Sequence, residues 1–324
     1  MNIEMIRAAR ERLTGVAVRT PLMSNPALDR VAGRRVFVKA EALQHTGSFK
    51  FRGAWSAISA LPPGTPGVIA YSSGNHAQGI ARAARDHNLP ATIVMPHDAP
   101  VAKLEGTRAL GAEVVIYDRD DEAREEVGAA LAKERGMVLI KPYDEPQVIA
   151  GQGTTGLEIA EQAAEAGIEK ADVLVCCGGG GLTSGVALAL EDMAPGLRAR
   201  PVEPVGFDDV ARSLRSGGIE KNNSTSGSIC DAIMTPAPGI ITFPIMHRLC
   251  GPGMVVPDED CLRAMALAFA HLKLVLEPGG AIALAAALFH GDQLDGEAVI
   301  AVASGGNVDS ALFQTALSQY GKTE

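Results

Sequence analysis

Apolar residues in this chain of 324 residues recur at two periods, and the period switches repeatedly along the sequence. Short, continuous apolar or β-branched runs occur at 36–38, 68–70, 91–95, 113–117, 137–140, 172–176 and 297–303. Runs of that length and composition predict strands covered on both faces. Between them the apolar positions space out to the helical period, predicting helices near 76–87, 101–110, 122–134, 153–166 and 182–193. At the start of the chain Ile3, Ile6, Ala9 and Leu13 share one helical face, with Arg7, Arg10 and Arg12 elsewhere. Alternating strands and helices predict an α/β fold with open, mostly parallel sheets and helices on both faces. In such folds ligands bind where strands end and helices begin.

Composition narrows the function. The chain is 47% hydrophobic and 21% charged, ordinary globular material for one large domain or two lobes. Its net charge is −9, and no basic stripe is available to neutralise phosphodiesters, so nucleic acid is excluded as a partner. The most apolar stretch, 272–289, is interrupted by Lys273, Glu277, Pro278 and two glycines, which argues against a membrane span. Five cysteines, an odd number without metal-ligand spacing and without a secretion signal, suit free thiols in a cytoplasm. The charge run from Asp118 to Glu126 reads as the solvated first turn of a helix.

Candidate chemistry gathers at the strand-to-helix junctions. Lys50 stands between Phe49 and Phe51 in Gly47-Ser48-Phe49-Lys50-Phe51-Arg52-Gly53. Apolar surroundings disfavour the ammonium form and leave an amine able to act as a nucleophile, the chemistry of a Schiff-base lysine. Gly178-Gly179-Gly180-Gly181 follows a strand and opens a helix, where successive N–H groups and the helix dipole favour an anion such as phosphate. No Gly-Lys-Ser/Thr follows, so this is not a nucleotide-binding Walker loop. Ser72-Ser73-Gly74-Asn75-His76 offers hydroxyls and N–H groups for a carboxylate, although Ser and Asn also serve as simple helix caps. Ser304-Gly305-Gly306-Asn307 ends the last strand.

In this order, Ser-Phe-Lys-x-Arg-Gly, Ser-Ser-Gly-Asn-His, the tetraglycine and Ser-Gly-Gly-Asn resemble the fold-type II pyridoxal-phosphate enzymes, in the branch of serine/threonine dehydratases and serine racemases. The resemblance spans about residues 3–319. It implies that Lys50 carries pyridoxal 5′-phosphate and that Phe49 packs beside its ring. Asn75 would bind the 3′ oxygen, Gly178, Gly179, Gly180, Gly181 and Leu182 the phosphate, and Ser304 the ring nitrogen, with Glu277 near the ring. Ser72, Ser73, Asn75, His76 and Arg124 would face the substrate. Glu203, the Phe207 carbonyl and Asp209 would hold a divalent cation, Mg²⁺ or Ca²⁺, by oxygen ligation. The resemblance also implies a homodimer and two lobes: residues 1–71 with 145–324 for the cofactor, and a small mobile lobe, 72–144, that closes on substrate.

The resemblance implies β-elimination. Lys50 would take the Cα proton of a hydroxy-amino acid such as L-threonine or L-serine, giving a 2-oxo acid and ammonia. A hydroxyl at the ring nitrogen, in place of a carboxylate, makes a weaker electron sink and favours prompt loss of the β-hydroxyl. The alternatives are a serine racemase, for which Ser73 would be the second acid on the opposite face, and a 3-hydroxyaspartate dehydratase or racemase. A protein that binds the cofactor without catalysis is disfavoured because the lysine and the phosphate loop are both intact. Tyr143 departs from the Asn of animal serine racemases, and Ala232 from the Ala-Asp-Gly common in threonine dehydratases. Phe51 stands where sulfhydrylases and threonine synthases usually carry Asp. With 20 residues after Ser304, no isoleucine-sensing regulatory domain is expected.

Overall fold

In a computed structural model, residues 1–99, 101–118, 120–224 and 226–321 are described; Arg119, within the charge run noted above, lies outside them. The strands in chain order are Leu22–Ser24 (β1), Arg35–Lys39 (β2), Val68–Tyr71 (β3), Ala91–Pro96 (β4), Glu113–Tyr117 (β5), Val138–Leu139 (β6), Ala171–Cys176 (β7), Leu197–Pro204 (β8), Met254–Val256 (β9) and Ala298–Val302 (β10). The helices are Ile3–Leu13 (α1), Pro26–Ala32 (α2), Lys50–Ser59 (α3), Asn75–Asp86 (α4), Val101–Ala109 (α5), Arg124–Arg135 (α6) and Pro146–Glu165 (α7). They continue with Gly181–Met193 (α8), Asp209–Ser216 (α9), Thr242–Leu249 (α10), Asp258–Leu272 (α11), Pro278–Phe289 (α12) and Ser310–Tyr320 (α13).

Two sheets divide the strands, as an α/β chain of this pattern requires. The larger has the order β1-β2-β10-β7-β8-β9 and the smaller β5-β4-β3-β6. Every neighbouring pair is parallel except β1 with β2. The smaller sheet includes β3, Val68–Tyr71. Residues 278–288, the apolar part of α12, are buried throughout and pack in the core of the larger sheet. The apolar run that superficially suggests a membrane is thus an interior helix, and no helix among the described residues is long and apolar enough to cross one.

Helix α7 begins seven residues before its expected start at 153. The Glu145 side chain caps it by accepting from the Val148 N–H, and Pro146 occupies the first turn, where a missing N–H is harmless. Gly151, Gly153 and Gly156 hide this turn from a propensity reading. Their absent side chains permit close helix packing: a Cβ on Gly151 would lie 2.3 Å from the Arg52 carbonyl oxygen of α3.

Beneath Lys50 lies a buried ionic cluster. Arg52, 1% exposed, donates to both oxygens of Glu41 at 2.8 Å and to both oxygens of Glu158 at 2.8 and 2.9 Å. Lys39 donates to Glu158 at 2.5 Å and to the Thr20 carbonyl at 2.7 Å. Burial alone would raise the pKa of Glu41, but the guanidinium and Lys39 outweigh it and hold the carboxyl below its ordinary range. The cluster joins β2, α3 and α7, and so fixes the turn that carries Lys50. Arg52→Met leaves Glu41 dry and without its closest cation. It should lower unfolding stability by about 3–5 kcal/mol, the usual effect of breaking a buried pair. Chemical denaturation checks this, and a loss under about 1 kcal/mol would contradict a cluster that depends on Arg52.

Candidate active site

The ends of β3, β7 and β10 and the starts of α3, α4 and α8 converge on one cavity. Phe49, Lys50, Ser72, Ser73, Asn75, His76, Arg124, Gly178, Gly179, Gly180, Gly181, Leu182, Glu277 and Ser304 all line it. The structure therefore brings together every expected cofactor and substrate residue. Glu203, Phe207 and Asp209 lie elsewhere, around the start of α9.

Lys50 is part-buried, exposed to the cavity, and its Nζ donates to the Pro142 carbonyl at 2.8 Å. Desolvation lowers its pKa to about 8, against smaller raising effects from Cys176 and Glu277. The Nζ sits 5.2 Å from the centroid of the Phe49 ring. The Phe49 N–H in turn donates to the Ser304 carbonyl at 3.1 Å, which ties the lysine turn to the end of β10. The Ser304 hydroxyl, 4% exposed, meets Cys176 Sγ at 3.1 Å.

The glycine turn forms a cradle of donors. Among the described residues, the N–H groups of Gly178, Gly179, Gly180 and Gly181 donate to no protein acceptor. A Cβ on Gly179 would come 2.1 Å from the Tyr143 ring, so a larger residue there would push the ring or fill the cradle. Four converging donors at a helix start, beside a desolvated amine, fit a phosphorylated carbonyl compound.

The Ser72–Asn75 turn is tied to the larger sheet by an amide relay. Asn75 Nδ2 donates to Glu277 Oε1 at 2.6 Å, and Asn75 Oδ1 accepts from Asn307 Nδ2 at 2.7 Å. Burial pushes Glu277 up to about 7, although the Asn75 bond opposes this. His76 is neutral near pH 7, because burial and then Lys50 lower it to about 3. Its Nε2 meets the Ile140 carbonyl at 3.1 Å, and its buried Nδ1 has no partner among the described residues. Arg124 is part-exposed, 2.9 Å from Glu125 and 5.7 Å from the Tyr71 ring centroid. Sequence reasoning assigned no role to Asn307, Cys176, Gln152, Lys103 or Asp231, which also line the cavity. Asn307 is the only one of these carried by a singled-out cluster whose neighbour has a role.

At the expected cation site, Glu203 accepts from the N–H groups of Val210 and Ala211 at 2.8 and 2.7 Å. Asp209 Oδ1 accepts from Asn222 at 2.5 Å, while its buried Oδ2 has no partner among the described residues. Burial raises the pKa of Glu203 well above the carboxylate range and that of Asp209 to about 6. An unpartnered acceptor beside a second acid fits a cation, but among the described residues no group of three or more His, Cys, Asp or Glu side chains forms a metal cluster.

The fold and this site define an α/β protein whose cavity sets an anion-binding glycine turn beside a desolvated lysine. Sequence comparison states which. Residues 13–305 match the family model described as pyridoxal-phosphate dependent enzyme. An L-threo-3-hydroxyaspartate ammonia-lyase of Pseudomonas sp is 43% identical over 97% of this chain and 97% of its own. A serine racemase of Schizosaccharomyces pombe is 38% identical over 97% of this chain and 96% of its own. The crystal structure of a T.th. threonine deaminase superposes with a TM-score of 0.90 at 43% identity, covering 95% of this chain and 99% of that one. The chain belongs to the pyridoxal-phosphate dependent enzyme family.

The lowered pKa of Lys50 has a measurable sign. Only the neutral amine attacks a carbonyl, so below pH 8 the reactive fraction falls about tenfold per pH unit. Apoenzyme should take up pyridoxal phosphate at a rate that climbs with pH and levels off near 8. Stopped-flow absorbance checks this. A rate still climbing beyond about pH 10 would indicate an ordinary solvated lysine.

Proposed function

We propose that this enzyme is an ammonia-lyase for 3-hydroxy-amino acids, with L-threonine and L-serine as the simplest substrates. Loss of water across Cα and Cβ, followed by hydrolysis, yields a 2-oxo acid and ammonia. The observation that carries this reading is that the desolvated Lys50 amine and a neutral hydroxyl, that of Ser304, line one cavity.

Pyridoxal phosphate, when bound, supplies a conjugated ring that takes up the electron pair left at Cα. The chain's own residues do the rest. Lys50 would hold the cofactor, and its neutral amine would take the proton from Cα of the substrate. The N–H groups of Gly178–Gly181 and Leu182 would hold the phosphate, Phe49 would wall the ring, Asn75 and Glu277 would contact its polar edge, and Ser304 would meet its nitrogen. Ser72, Ser73, Asn75 and His76 seat the substrate carboxylate at the start of α4. Lys103 on α5 approaches Asp231, from the larger unit, to 3.3 Å across the cavity mouth, which supports closure of a mobile lobe over 72–144.

A second reading has its own observation. Arg124 adds a cation to the cavity, which suits a substrate with a second carboxylate. The Pseudomonas relative named for 3-hydroxyaspartate supports it. Ser73 lines the cavity as a racemase reading requires. Incubation with L-threonine, L-serine and both 3-hydroxyaspartate diastereomers separates these options. The lyase reading expects oxo acid and ammonia in equal amounts; D-serine without ammonia would overturn it. If hydroxyaspartate is the substrate, Arg124→Met should raise its KM roughly tenfold or more and leave threonine nearly unaffected.

The unpartnered Asp209 Oδ2 supports a divalent cation held with Glu203 and the Phe207 carbonyl. Chelation should then lower the melting temperature and Mg²⁺ or Ca²⁺ restore it; no response would remove the cation from the account. A homodimer rests on the resemblance, and sedimentation velocity decides it.

A further inference from the structure

Among the described residues, Gln152 is the one cavity-lining side chain whose amide is buried with both ends unpartnered. It is 1% exposed, and neither Oε1 nor Nε2 has a hydrogen-bond partner. Asn75, another amide that lines the cavity, has both ends engaged. A buried amide with neither end bonded is costly, and its persistence in a packed interior calls for a missing partner.

The position of that amide says what the partner is. Gln152 sits in the glycine-rich start of α7, between α3 and α8. A Cβ built on Gly181, in the first turn of α8, would lie 3.0 Å from its Oε1. One built on Gly53, three residues past Lys50, would lie 3.0 Å from its Nε2. The amide thus bridges the turn that presents free N–H groups and the helix that presents the reactive lysine. The oxygen and nitrogen of an amide exchange places by a half-turn about its last torsion, so the donor end can face either way.

We propose that Gln152 is a cofactor-binding residue that donates a side-chain hydrogen bond to the phosphate held at the Gly178–Gly181 turn. This rests on the reading of that turn as the pyridoxal phosphate seat. The phosphate is an acceptor at every oxygen, so the –NH₂ end of the amide is selected for it and the carbonyl end turns toward Gly53. Gln152 adds to the main-chain cradle a donor that reaches from a different helix. It also makes cofactor uptake report on the packing of α7 against α3 and α8.

The test compares apoenzyme titrated with pyridoxal phosphate and with pyridoxal, which lacks the phosphate, followed by absorbance. Gln152→Met keeps the volume and removes the amide. Its apoenzyme should melt at or above the wild-type temperature, because an unpartnered buried polar group has gone. Its affinity for pyridoxal phosphate should fall roughly tenfold to a hundredfold, the usual worth of a hydrogen bond to a charged group, with pyridoxal affinity unchanged. Gln152→Glu should weaken pyridoxal phosphate further, since a carboxylate repels the phosphate, and inorganic phosphate should compete less well against pyridoxal phosphate in both variants. A variant that binds both compounds like wild type, or loses both equally, overturns the proposal; so does a Gln152→Met apoenzyme that melts well below wild type, which would mark Gln152 as structural. Wild-type apoenzyme that takes up neither compound would instead sink the cofactor reading itself, and the role of Gln152 with it.

Discussion

A guanidinium removed from water must be surrounded by carboxylates, and Arg52 makes this demand at the centre of the molecule. Glu41, which follows β2, and Glu158 on α7 answer it, with Lys39 balancing the second acid. Few pairs of elements can move relative to one another without stranding a charge in a dry interior. The restraint lies two residues from Lys50, so the reactive amine inherits the rigidity of the cluster. Cations and anions balance within it, which leaves the field at Lys50 to be set by desolvation instead of by a neighbouring ion pair.

The rest of the cavity follows from strand ends held at that fixed point. The β10 end is bonded to the Phe49 turn, and the Asn75 amide spans from Glu277 to Asn307. The smaller sheet leads into the polar Ser72–Asn75 turn and the larger into the glycine turn and Ser304, while Lys50 starts α3, whose Phe51, Ala54 and Ile58 pack in the core of the smaller sheet. The buried Glu277, pushed up toward 7, and the neutral His76 keep formal charge low around the amine.

Much of this was legible in the sequence because it is local. Apolar runs such as 113–117 mark strands directly, and Glu113–Tyr117 agrees with the expected bounds. Lys50, the tetraglycine, the Ser72–His76 cluster and Ser304 each announce themselves within a few residues, at junctions where the fold class expects ligands. What escaped is non-local. Strand β8 carries Arg198, Arg200, Pro201 and Pro204, which argue against an interior strand. It lies between β7 and β9 because Asp172 neutralises the buried Arg200 at 3.0 Å. The start of α7 is masked by glycines that exist for helix packing. Gln152 shows no motif at all, since a glutamine in a helix becomes notable only when the structure shows its amide dry and unpaired. The charge pair Lys103–Asp231 joins positions far apart in sequence, beyond the reach of any local pattern.

Lys50, and no other lysine, should carry the cofactor. Reduction of the pyridoxal-phosphate-loaded enzyme with borohydride fixes the cofactor on the amine that holds it, and peptide mass mapping locates it. One pyridoxyl group per chain is expected, on the peptide containing Phe49-Lys50-Phe51. A label on another lysine, or none on a chain that has taken up the cofactor, would contradict it.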